Sequence, residues 1–201
     1  MISPHNSLLE QVRNCQLCVN QLPHKPRPVM NLHPKSKVVI IGQAPGKKVH
    51  QSGIPWDDPS GNTLRKWLGV SKEAFYSVEN FAILPMGFCY PGKGSSGDLP
   101  PRPECAAQWH APLLGLLKQP GLTLLIGHYA QNYYLASDAG ATLTQTVQNW
   151  RNYIPRILPL PHPSPRNRFW LQKNPWFEQE VLPYLQHQVA IVLESAPKSL
   201  A

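Results

Sequence analysis

Four short apolar runs punctuate the chain: "KVVII" at 37–41, "FAILPM" at 81–86, "LTLLIG" at 122–127 and "RILPLP" at 156–161. Each is too short for a stable helix, rich in branched side chains and bounded by Gly or Pro, which predicts strands buried on both faces. Between them the apolar period lengthens to that of a helix. In "SGNTLRKWLGV", residues 60–70, Leu64, Trp67 and Leu68 share one helical face, Ser60 or Asn62 is a candidate cap, and Gly69 is the stop. Further helices are predicted over Leu8 to Cys15, 104–118, 128–136 and 142–150, and a Pro-interrupted helical region over 168–193. "PHKPRPVMNLHPKS", residues 23–36, reads as an extended basic connection, and "GKGSSGDLPPRP", residues 92–103, as a flexible loop. Strands alternating with helices predict an α/β protein: a three-layer α/β/α sandwich around a central, mostly parallel four-stranded sheet. One domain over residues 1–195 is expected, with a fraying tail at 196–201.

Composition narrows the picture. The 201 residues, 42% hydrophobic, suffice for one well-buried core. No run approaches the ~18 apolar residues of a membrane span, and the amino terminus lacks the apolar centre of a signal peptide, so a cytoplasmic protein without membrane contact is expected. Lys and Arg outnumber Asp and Glu by 19 to 11, a formal charge of +8 that favours a polyanionic partner such as nucleic acid. "GQAPG", residues 42–46, follows the first strand directly, and its two glycines let backbone approach a flat ligand closely. It lacks the spacing of a dinucleotide site, and no phosphate-binding loop is present elsewhere.

The four cysteines are Cys15, Cys18, Cys89 and Cys105: a CxxC pair, a long gap, and two singles flanking the Gly/Pro loop. Two readings follow. Either all four thiolates hold zinc or an iron–sulfur cluster, or the CxxC is a redox pair and the other two are core thiols. Spacing does not separate zinc from iron.

"SGIPWDDPSGNTL" beside the first loop and "HPSPRN" at 162–167, taken with "GQAPG" and the cysteine spacing, resemble the uracil-DNA glycosylase superfamily, in order from Cys15 to about Trp176. The Cys pattern is similar to that of bacterial and archaeal members carrying a [4Fe–4S] cluster, which implies cluster ligation by Cys15, Cys18, Cys89 and Cys105, with zinc the lesser alternative. The resemblance implies catalysis by Asp58, two residues before a Ser-Gly pair, and by His162, with Asp57 the alternative carboxylate. It further implies a base held by Gly42, Gln43 and Ala44 and stacked on Trp56, with Ser164 and Arg166 forming a wedge into the DNA. Lys47, Lys48 and "KPRP" are candidate phosphate contacts. Two positions depart from the best-known cluster-bearing members: Gln43 stands where a glutamate often follows the first glycine, and Pro85 where an asparagine reads the base. The chain is expected to act as a monomer on DNA carrying a deaminated base. No lysine is placed as a Schiff-base nucleophile, so monofunctional hydrolysis is the expected reaction; the alternative, which the departures at Gln43 and Pro85 keep open, is a non-catalytic iron–sulfur protein of the same fold that recognises altered DNA without cutting it.

Overall fold

The computed structural model describes residues 4–194; the tail expected at 196–201 lies outside them. The elements run α1 (Pro4–Arg13), β1 (Val38–Ile41), α2 (Lys47–Ser52), α3 (Pro59–Leu68), α4 (Lys72–Tyr76), β2 (Phe81–Ile83), α5 (Pro103–Leu114), β3 (Leu122–Ile126), α6 (His128–Leu135), α7 (Leu143–Gln148), β4 (Ile157–Leu160), α8 (Arg168–Lys173) and α9 (Leu182–Glu194). All four strands pair in parallel, in the order β2-β1-β3-β4.

The two-residue period of a strand divides the core. Val38 and Ile40 of β1 pack to one side with Leu64, Trp67, Phe75, Phe177 and Leu185, under α3, α4 and α9. Val39 and Ile41 face the other side, with Leu9, Val12, Leu113 and Ala130, under α1, α5 and α6. The strands are therefore apolar almost throughout, Thr123 of β3 being the polar exception, as a sheet covered on both faces requires. The α/β/α sandwich expected from the sequence is the architecture found.

The order of the strands places the site. From β1 the chain crosses to β2 on one side, then to β3 and β4 on the other, so the direction of winding reverses beside β1. The loops leaving the carboxyl ends of β1, β2 and β4 splay apart there and leave a crevice. The segment after β2 stays beside the first loop: Leu84 N–H donates to Ile40 O (2.9 Å), Met86 N–H to Gly42 O (2.8 Å) and Gly87 N–H to Gln43 O (3.0 Å).

Some local expectations shift. The second strand ends at Ile83 rather than Met86, although bonds from Leu84 and Met86 to the β1 segment continue past it. The cap of α3 is Asp58, not Ser60 or Asn62. Two short helices, α2 and α4, are too brief for a periodic signal to have shown them. The terminal region divides into α8, a π-helical turn at Phe177–Val181 and α9. Phe177 is fully buried and meets Trp67, Trp170 and Trp176 edge-on, with ring centroids 5.0, 5.6 and 6.4 Å away. Truncation there leaves a cavity between the sheet's helical cover and the terminal region, so Phe177→Ala should lower stability by about 3–5 kcal/mol in urea titration.

Candidate active site

Three separated segments meet at the carboxyl edge of the sheet around a cavity of about 440 Å³. Gly42, Gln43 and Ala44 line it from the first loop, Trp56 and Asp58 from the entry to α3, and His162, Ser164 and Arg166 from the loop after β4. Every residue read from the sequence as catalytic or base-binding thus borders the same space. Of the two adjacent aspartates, Asp58 lines it and Asp57 does not.

Trp56 is the centre of this arrangement. Its backbone is left-handed, with φ of 56°, an uncommon state for a bulky residue and one concentrated at functional sites. Two glycines accommodate it. A Cβ on Gly61 would lie 1.8 Å from the Trp56 carbonyl oxygen, and a Cβ on Gly42 would lie 2.9 Å from the Trp56 ring. The bare Cα face of Gly42 is therefore occupied by indole, while Gly42 still lines the cavity. Arg65 Nη1 also donates to the Trp56 carbonyl at 3.4 Å. The other neighbour of the indole is His162, with centroids 5.6 Å apart and planes tilted by 36°.

Asp58 has two jobs. One carboxylate oxygen accepts the Gly61 N–H at 2.8 Å and caps α3, with Pro59 at the first helical position. Its charge also acts on His162. Burial pushes the His162 imidazole below its ordinary value, and the carboxylates of Asp58 and Asp98 oppose that shift. The His162 carbonyl accepts from Asn167 Nδ2 at 2.7 Å, which fixes the turn that follows.

A family model for the uracil DNA glycosylase superfamily matches residues 30–186. The chain belongs to that superfamily. Members of the uracil-DNA glycosylase superfamily are DNA glycosylases, so the general class of activity is release of a base from DNA.

Within this glycosylase fold, several residues take places that sequence patterns did not reveal. Asp98 reaches the cavity from the Gly-rich loop, where a bridge between Lys93 and Asp98 folds residues 93–98 into a tight turn. Arg166, expected at the tip of a wedge, donates from Nη1 to Ser96 O at 3.3 Å and ties that turn to the loop after β4. Phe169, three residues on, is 75% exposed. Pro85 lines the cavity, and its carbonyl accepts from His110 Nε2 at 3.0 Å. A carbonyl only accepts, so Nε2 carries the hydrogen and the Tyr134 hydroxyl donates to Nδ1 at 2.6 Å. Arg27 of "KPRP" binds the carbonyls of His50 and Gln51 at 2.6 and 2.8 Å, capping α2 rather than facing outward. Lys47 and Lys48, at the start of α2, are exposed.

The four cysteines are free thiols, and all four line a second cavity on the α1/α5 side of the sheet. Three of the sulfurs have an N–H donor: Phe88 N–H to Cys105 Sγ at 3.3 Å, the Arg27 backbone to Cys89, and the Arg102 guanidinium to Cys18. Burial pushes the Cys89 thiol up to about 11 and the Cys105 thiol up to about 12. Among the described residues, no group of three His, Cys, Asp or Glu side chains forms a site for a single metal ion.

Two measurements check this geometry. Gly61→Ala should lose at least the ~1–3 kcal/mol of an overpacked core, because the added methyl meets backbone rather than a movable side chain. In NMR titration His162 should protonate below the ordinary 6.5, and Asp58→Asn should lower its value further by removing a charge that favours imidazolium. An unchanged His162 value in that variant would separate the two residues.

Proposed function

We propose that the protein is a monofunctional DNA glycosylase that hydrolyses the N-glycosidic bond of uracil or another deaminated base flipped out of DNA. The observation that carries this reading is the convergence of Asp58, Trp56, His162 and the first loop on one cavity of about 440 Å³. Cleavage of that bond develops positive charge on the sugar and negative charge on the departing base. Asp58 answers the first and a neutral His162, donating an N–H, answers the second. Trp56 supplies the flat apolar face against which an extruded base stacks. No lysine is among the residues lining the cavity, in keeping with hydrolysis rather than a Schiff base. Pro85 offers a ring where a base-reading amide would stand, so polar recognition of the base falls to the backbone of Gly42–Ala44 and to His162. The net charge of +8 suits DNA as partner. The protein is proposed to act as a cytoplasmic monomer; no helix among the described residues is long and apolar enough to cross a membrane.

The four thiols are assigned to a [4Fe–4S] cluster. All four thiols line one cavity, which gathers the donor set that such a cluster needs. N–H donors to sulfur are the interactions that stabilise and tune such a group. The chemistry it would supply here is structural: a cross-link joining the residues after α1 to both ends of the segment from Cys89 to Cys105. Cys89→Ala should lose iron and soluble yield together, measured by iron content per chain. Full iron content in that variant would remove Cys89 from the ligand set.

The activity is tested by incubating purified protein with duplexes carrying uracil, hypoxanthine, xanthine or a mismatch, followed by alkaline cleavage of abasic sites. Asp58→Asn retains an acceptor for the Gly61 N–H and removes only the charge. It should bind DNA normally and excise about 10²- to 10³-fold more slowly. His162→Ala should likewise lower single-turnover excision far more than affinity. The wild-type rate should fall in acid as the His162 ring protonates, at a pH below 6.5. A rate that rises in acid would assign the donor role to imidazolium instead.

A further inference from the structure

The chain has four aspartates, and two of them, Asp58 and Asp98, line the cavity just described. A carboxylate at the mouth of a site for a polyanion opposes binding, so its presence asks for a chemical reason. The two carboxylates come from separate segments of the chain. Asp58 comes from the amino end of α3, where one oxygen is committed to the Gly61 N–H and the helix terminus suits a fixed negative charge. Asp98 comes from the turn at 93–98, caps no helix with a side-chain hydrogen bond although it lies beside Gly46 at the start of α2, and is exposed to solvent. The Tyr90 hydroxyl donates to Asp98 Oδ1 at 3.4 Å, while Oδ2 faces Gly46 of the first loop, 3.4 Å from where a Cβ would lie. The turn itself is held by Gly94 N–H to Gly97 O (2.6 Å), Leu99 N–H to Gly92 O (2.9 Å) and Arg166 to Ser96 O (3.3 Å). Asp98 is thus an oriented carboxylate with water on one side and His162 within its field on the other.

We infer that Asp98 is the base of the reaction: it takes the proton from the water that attacks the sugar. This rests on the glycosylase reading given above. In the step, the water oxygen forms a bond to C1′ as the C1′–N bond breaks and its electron pair leaves with the base. The water proton passes to an Asp98 oxygen, and the anionic base is held by the His162 N–H until it is protonated by solvent. Asp58 keeps the charge that stabilises the sugar and need not change protonation. The two aspartates thereby divide the work of a paired-carboxylate hydrolase, one as fixed charge and one as proton acceptor.

The test compares wild type, Asp98→Asn and Tyr90→Phe in single-turnover excision and in binding to a non-cleavable uracil-analogue duplex at one salt concentration. Wild-type cleavage is measured first; if it is absent on every substrate, the glycosylase reading fails and this inference with it. With wild type active, Asp98→Asn should lose about 10²- to 10⁴-fold in rate while binding DNA as tightly or more tightly. Tyr90→Phe, which keeps the carboxylate, should change the rate only a few-fold. Asp98→Asn within threefold of wild type overturns the assignment. Equal losses in Asp98→Asn and Tyr90→Phe also overturn it, since they mark Asp98 as a prop for the turn. His162 titration by NMR guards against misfolding: a folded Asp98→Asn should show a lower His162 value than wild type.

Discussion

The close approach of Trp56 to two glycines governs the site. Gly61, inside the first turn of α3, lets the helix start directly beneath the Trp56 carbonyl, and Gly42 lets the first loop lie flat against the indole. The left-handed backbone of Trp56 turns the chain sharply between them. A side chain at either glycine would push α3 or β1 away, and with them Asp58 or the first loop. His162 then completes the packing from the loop after β4 by resting against the same ring. Strain at one residue is tolerated because both neighbours and Arg65 over-determine its position, the usual circumstance in which such a conformation survives.

A second dependence runs through the segment between Cys89 and Cys105. Its two ends meet the cavity lined by the thiols, and its middle crosses to the cavity lined by His162, where Arg166 fastens it. The two cavities are therefore parts of one mechanical arrangement rather than neighbours by accident. His110 belongs to the same arrangement. It sits on α5, five residues after Cys105, and pins Pro85 at the wall of the site through a carbonyl bond buried from solvent. A neutral imidazole suits that place, because burial holds it below its ordinary value and both ring nitrogens already have partners.

Much of this was legible in the chain because it depends on local rules. Apolar runs bounded by Gly and Pro located all four strands, since a strand covered on both faces has few polar positions to spare. Leu64, Trp67 and Leu68 located α3 by period. The motifs around Gly42, Asp58 and His162 named residues that the fold brings to one cavity. The failures were local too. Asp58 rather than Ser60 or Asn62 caps α3, because Pro59 fits best at the first helical position and sets the start one residue after the aspartate. Short α2 and α4 carry too few apolar positions to establish a period.

By itself the sequence determined the layers, the parallel sheet and the identity of the residues at the strand ends, because these follow from side-chain period and backbone freedom within a few positions. Only the tertiary structure decided who faces whom. That Gly42 makes room for Trp56, that Asp98 leaves a loop of no evident character to line the same cavity as Asp58, and that Arg166 turns back to Ser96 are juxtapositions across 14 to 70 positions of chain. No local pattern encodes such pairings. They arise when the reversal of winding beside β1 opens a crevice and the loops that border it pack to exclude one another.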